Sequence, residues 1–208
     1  MNNEGRGRLI VLEGIDGAGK TTQAALLEAH LRGQGRQVLR TAEPTGLPTG
    51  VALRRALSGA EKKTEWEMAA MFVLDRIAHN LHPTEGIEAL LAEGIDLICD
   101  RYYYSTLAYQ GQSTDYFWVK SMNLDCPQIR KPDLCVYLDL TPEQSLERIR
   151  GGREQVEIYE NLHTLTAVRN AFLRVFEDLR ETDSIVLVDA YRSAEEIAAE
   201  IAEAVSKI

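Results

Sequence analysis

Gly14-Ile15-Asp16-Gly17-Ala18-Gly19-Lys20-Thr21 fits the pattern G-x-x-x-x-G-K-[ST], and the short apolar run Leu9-Ile10-Val11-Leu12-Glu13 leads directly into it. A strand before the glycines and a helix after them is the context in which this pattern cradles phosphates. Glycine lets the backbone bend so that successive N–H groups point at phosphate oxygens. The helix beginning near Lys20 adds the positive partial charge of its N-terminus. Lys20 can reach the terminal phosphates, and the Thr21 hydroxyl can ligate magnesium. The stretch therefore predicts a nucleoside triphosphate site. It does not by itself say what becomes of the triphosphate. The N-K-x-D segment that reads guanine is missing from the sequence. Asp16 is unusual inside such a loop, because a carboxylate beside phosphates is repelled unless it faces a cation, a sugar hydroxyl or a second substrate.

Outward from this loop, short apolar strands alternate with helical patterns. Ala24, Leu27 and Leu31 recur at helical spacing up to Gly33 and Gly35. Strands are predicted at residues 8–13, 37–41, 95–99, 134–138 and 185–188. Helices are predicted over about 51–57, 65–82, 85–93, 103–109, 115–123, 158–179 and 193–206. Thr141-Pro142-Glu143 reads as a helix N-cap and first turn. This alternation predicts an α/β three-layer sandwich with a five-stranded parallel sheet, and the near-continuous apolar strands suit a sheet covered on both faces. No repeat or interdomain linker is visible, so residues 1–208 read as one domain. Dense charge around Gly151-Gly152 makes about 148–158 the candidate mobile lid.

Composition sets the outer limits. The 208 residues are 45% hydrophobic and 26% charged, as in ordinary globular domains and unlike disordered chains. A chain of this length needs no disulfide scaffold, and Cys99, Cys126 and Cys135 have no C-x-x-C spacing. With 23 Lys plus Arg against 32 Asp plus Glu, the net charge is −9, which argues against a protein that coats nucleic acid. Small anions remain open, since they sense a local cleft rather than the sum. The polar start of the sequence shows no signal peptide and no stretch is long enough for a membrane span, so a cytoplasmic location is expected.

Further motifs follow in order: Glu43-Pro44, Phe72-Val73-Leu74-Asp75-Arg76, Asp100-Arg101-Tyr102, Ser105-Thr106-Leu107-Ala108-Tyr109-Gln110, and Lys131-Pro132-Asp133-Leu134 before Val136-Tyr137-Leu138-Asp139. Together with the glycine loop they resemble the thymidylate kinases, over most of the chain. The glycine loop and Asp-Arg-Tyr are shared with other kinases of the fold. The F-x-x-x-R segment combined with S-x-x-x-Y-Q is far more diagnostic.

The resemblance implies a P-loop nucleoside monophosphate kinase that moves the γ-phosphoryl of Mg–ATP to dTMP. ATP would be held by Gly14, Ile15, Asp16, Gly17, Ala18, Gly19, Lys20, Thr21 and Thr22. The Mg2+ would be held by Thr21 and Asp100. Phe72 would stack on thymine and Arg76, on the same helix face, would donate to a base carbonyl. Arg101 would fork onto the acceptor phosphate. Asp16, Glu43, Pro44, Arg54, Ser105, Tyr109 and Gln110 would complete the acceptor site, with Arg55 competing for the role of Arg54. Lys20, Asp16, Arg101 and Arg153 form the expected catalytic set. Arg153 enters because some members carry a catalytic arginine in the loop and others in the lid, and the loop position here is Gly17. Arg148 and Arg150 compete with it. Ala42 stands where many relatives have arginine. Relatives are commonly homodimers, and the Met68–Met71–Leu74 face is either core or interface. Another nucleoside monophosphate kinase of the fold, or more remotely a nucleotide-dependent switch, is the alternative.

Overall fold

The computed structural model describes residues 5–152 and 162–208. The strands are β1 (Leu9–Glu13), β2 (Val38–Ala42), β3 (Asp96–Asp100), β4 (Leu134–Asp139) and β5 (Ile185–Asp189). They form one sheet in the order β2-β3-β1-β4-β5, and every pairing is parallel. The connecting helices are α1 (Lys20–Gly33), α2 (Pro48–Leu57), α3 (Glu65–Leu81), α4 (Ile87–Ala92), α5 (Tyr103–Ser113), α6 (Tyr116–Leu124), α7 (Pro142–Gly152), α8 (Leu162–Leu179) and α9 (Ala194–Val205).

Each inner strand sends alternate side chains to opposite faces. Ile10 and Leu12 of β1 and Val136 and Leu138 of β4 meet Leu27 and Leu31 of α1 and Ile197 and Ile201 of α9. Leu9 and Val11 of β1, with Cys99 of β3 and Tyr137 of β4, face Ala69, Leu91, Leu107 and Phe172 on the opposite side. The sheet is thus sealed between two helical layers, as the apolar runs require. Cys99 and Cys135 are buried thiols in that core, and burial pushes both pKa values up. The edge strands β2 and β5 are the more exposed ones, which is where a parallel sheet loses its second cover.

Element bounds follow the sequence patterns closely, although α5, expected over 103–109, runs on to Ser113. The helix expected from residue 51 begins at Pro48, because proline suits the first helical turn, where its missing N–H has no partner to lose. Of the segment expected to be a mobile lid, residues 148–152 form the last turn of α7, and 153–158 lie outside the described residues. The helix expected over 158–179 is described from Leu162 onward. Thr64 and Glu67 form a reciprocal capping box that starts α3. No helix among the described residues is long and apolar enough to cross a membrane.

At the amino edge of the sheet the Asp96 carboxylate, 0% exposed, ties three segments together. Arg8 donates to it from backbone and side chain at 2.8 and 2.7 Å, and Arg36 from its side chain at 2.7 and 3.0 Å. Burial raises the Asp96 pKa, but the hydrogen bonds from Arg36 and Arg8 outweigh it and the net shift is downward. The linked stability is therefore present above the ordinary carboxylate range and lost as pH falls through the depressed value. Asp96→Asn is expected to destabilise the protein by about 2 kcal/mol at neutral pH, below the usual buried-pair loss because Arg36 is partly solvated. Urea denaturation should show that gap closing below about pH 4.

Candidate active site

The loops after β1 and β3 emerge side by side at the carboxyl edge of the sheet, where α/β folds bind ligands. The loop after β1 needs its glycines. Gly14 has φ +154°, and a Cβ there would stand 2.9 Å from the Leu138 carbonyl oxygen. Gly19, at φ 93°, turns the chain left-handed into α1. The Lys20 ammonium folds over this loop, donating to the Gly14 carbonyl at 2.9 Å and approaching that of Ile15 at 3.4 Å. Burial, with Arg101 nearby, lowers its pKa to about 8 against the pull of Asp100, Asp16 and Glu13. Thr21 and Thr22 are exposed at the start of the same helix. From α7, the Ser145 hydroxyl donates to the Asp16 carbonyl at 2.5 Å. Arg148 donates to the Ala190 carbonyl at 2.7 Å, with its other amino group 3.5 Å from the Gly17 carbonyl. Ser145 was not legible as a site residue, because its contact spans 129 positions in sequence.

Beside this loop lies a cavity of about 300 Å³. Asp16 reaches it from the glycine loop, and Glu43 and Pro44 from the end of β2. Phe72 and Arg76 come from α3, Arg101 from the turn before α5, and Ser105, Tyr109 and Gln110 from α5 itself. Leu57, Tyr102 and Thr106 also line it and were not singled out from sequence. Arg54 is not among the lining residues. It is exposed on α2, and its guanidinium donates to the Pro44 carbonyl at 2.8 Å. Arg153 lies outside the described residues.

Two arginines anchor the cavity in different ways. Arg76 is 1% exposed and caged. Its Nε donates to Glu43 at 2.8 Å, one amino group to Thr106 at 3.1 Å and the other to Asn123. The other Glu43 oxygen lies 3.0 Å from His79 Nδ1. The Glu43 carboxylate thus holds Arg76 and His79. Glu43, expected at the acceptor site, lines the cavity and also orients Arg76, since a buried guanidinium needs an anionic partner. Asn123 and His79 were missed, as a polar residue inside a helical pattern carries no sign of which distant arginine it meets.

Arg101 sits at the sheet edge with φ 67°, a left-handed backbone that costs a non-glycine residue roughly 1–2 kcal/mol. Its guanidinium donates to Asp16 at 2.5 Å and to the Ser105 hydroxyl at 3.3 Å, and lies 5.6 Å from the Tyr109 ring centre. Burial opposes its charge, but Tyr109, Asp16, Glu13 and Asp100 outweigh that, and the pKa rises above the arginine range. Ser105, expected at the acceptor site, lines the cavity, and its hydroxyl donates to Glu13 at 2.6 Å. At the end of β3, Asp100 keeps Oδ1 buried with no hydrogen-bond partner among the described residues.

The thymidylate kinase family model matches residues 12–201. The chain belongs to the thymidylate kinase family. It is 38% identical over 203 residues to a probable thymidylate kinase of Pyrococcus horikoshii, covering 94% of each chain. It is 37% identical over 199 residues to a thymidylate kinase of Dinoroseobacter shibae, again with 94% of each covered. A thymidylate kinase of Trichlorobacter lovleyi is 36% identical over 206 residues, covering 94% of this chain and 95% of that one. As a thymidylate kinase, the protein is a phosphotransferase. The glycine loop, α3 and the turn into α5 all lie inside the matched span.

Proposed function

We propose that the protein transfers the γ-phosphoryl of ATP to the phosphate of dTMP, giving dTDP and ADP. One observation carries the reading. A single cavity is lined both by Asp16 of the phosphate-binding loop and by the Phe72–Arg76 pair. A nucleotide seated there brings its phosphate to the donor's phosphates. Phe72 offers a flat face for a pyrimidine. Arg76, caged by Glu43, Thr106 and Asn123, offers a donor of fixed direction to a base carbonyl. Fixed direction matters, because a carbonyl at that place accepts such a bond and an amino group does not.

The acceptor phosphate is already anionic, so no strong general base is needed. The work is to hold two polyanions in line and neutralise their charge. Lys20 and the loop amides hold the donor, Arg101 holds the acceptor phosphate, and Asp16 keeps Arg101 turned toward the loop. The donors suit Mg2+: an exposed hydroxyl on Thr21, and on Asp100 a buried carboxylate oxygen without a partner among the described residues. The bound ion would screen the charge of the donor phosphates. Arg153 is the proposed lid cation over the transferring group. The cytoplasm supplies the ATP this chemistry consumes and is the proposed location. Two copies are proposed to associate through α3 and α6, since Trp66, Leu74 and Phe117 there are 51, 55 and 76% exposed. Sedimentation at micromolar concentration should give the dimer mass, and a monomer would refute the pairing.

Turnover with ATP across dTMP, dUMP, dCMP, dGMP and thymidine tests the assignment, with dTMP expected to give the highest kcat/KM. No preference for dTMP would favour a broader monophosphate kinase, and equal ATP turnover without acceptor a switch protein. Phe72→Ala should raise the dTMP KM by about 5- to 150-fold, the range for losing one base–aromatic stack, with little change for ATP. Arg153→Ala should slow turnover by about 10²-fold or more with dTMP affinity kept. An unchanged rate removes Arg153 from the site.

A further inference from the structure

Glu13 closes β1 and immediately precedes the glycine loop, yet it does not line the cavity. It is 0% exposed. A carboxylate in that position costs several kcal/mol unless donors surround it. The donors all come from one place. Oε1 accepts from the Tyr102 amide at 2.8 Å and the Ser105 amide at 3.1 Å, and Oε2 accepts from the Ser105 hydroxyl at 2.6 Å.

These partners are the first turn of α5. Tyr102 is the N-cap of that helix and offers no side-chain cap of its own. Glu13 supplies the cap from the neighbouring region of the fold: it accepts from the Tyr102 amide and shares the Ser105 amide with the Tyr102 carbonyl, which lies 3.2 Å from that amide. Arg101 is the residue just before this cap. Its amide donates to the Leu12 carbonyl at 3.0 Å, so both ends of its left-handed turn are pinned to the end of β1. Its side chain then meets the same Ser105 hydroxyl that Glu13 holds. The hydroxyl gives its one proton to Glu13 and turns a lone pair toward Arg101. A carboxylate is required for this polarity. A carboxamide would present an N–H to the hydroxyl or to the two amides, and the hydroxyl would have to turn.

We propose that Glu13 is a positioning residue that acts through Arg101: by capping α5 and orienting the Ser105 hydroxyl, it sets the Arg101 guanidinium against the acceptor phosphate. This rests on the reading of the cavity as the dTMP site. The base and sugar are held by other residues, so the clamp affects the phosphate and not the nucleoside. That asymmetry distinguishes positioning from a general contribution to folding.

The test compares dTMP with thymidine on the full-length protein by calorimetry, alongside turnover. In Glu13→Gln, thymidine affinity should stay within about twofold, while dTMP affinity falls by about fivefold or more, the scale of one weakened charge-assisted bond. In an Arg101→Ala background, the same change should leave the dTMP-to-thymidine preference within about twofold, because coupled residues are not additive. Loss of both ligands together, loss of neither, or a full further loss in the Arg101→Ala background overturns the proposal. Should Glu13→Gln not fold, Ser105→Ala keeps the two amide bonds and removes only the hydroxyl bridge. It should lower the preference by about threefold, and no change in it is equally fatal. Turnover of dTMP by the unaltered protein reports on the functional reading separately. If another monophosphate is the substrate, the same comparison with that monophosphate and its nucleoside reads the clamp.

Discussion

Everything at the active edge hangs on one buried contact, the carboxylate of Glu13 against the first turn of α5. It joins the end of β1 to residues about ninety positions later, between two strands already paired in the sheet. The phosphate loop leaves β1 immediately after that carboxylate, and Arg101 enters α5 immediately before its partners. Donor and acceptor sites are therefore built from one rigid joint. A hydrogen-bonded buried carboxylate is well suited to this, because releasing it would take their acceptor from the Tyr102 amide and the Ser105 hydroxyl in a low-dielectric interior.

The same logic recurs around Arg76, where Glu43, Thr106 and Asn123 hold the guanidinium from three elements. A long side chain would otherwise sample many rotamers, and recognition would carry the cost of ordering it. Here that ordering accompanies folding. The net charge of −9 gives no hint of this. Much of the acidic excess lies on exposed helix faces such as Glu177, Glu195 and Glu203, while Arg76 and Arg101 line one cavity and Lys20 folds over the glycine loop beside it. A polyanion approaching the site meets that local field and not the total.

Much of the architecture was legible because its signals are local. The glycine loop, the apolar strands and the helical spacing of Ala24, Leu27 and Leu31 each depend on neighbours within a few residues. The resemblance to the thymidylate kinases also implies a site with Phe72, Arg76, Arg101 and Tyr109, and all four line the cavity; spacing alone says only that Phe72 and Arg76 share a helix face and that Arg101 follows a strand. What could not be read was which polar groups face each other. Ser105 and Glu43 line the cavity, and the bonds of their side chains to Glu13 and to Arg76 and His79 carry no signal in the sequence. Arg54 was placed at the cavity and stands outside its lining.

The amino-acid sequence by itself determined a parallel α/β sandwich and a triphosphate loop at the end of its first strand. Backbone conformation and apolar periodicity are short-range properties, and they survive reading in one dimension. Only the tertiary structure decided which carboxylates are partners of arginines and which hydroxyls are already taken. Those pairings depend on distances between elements far apart in the chain. In a buried site every donor and acceptor must be matched at once, and that matching is a property of the packed molecule as a whole.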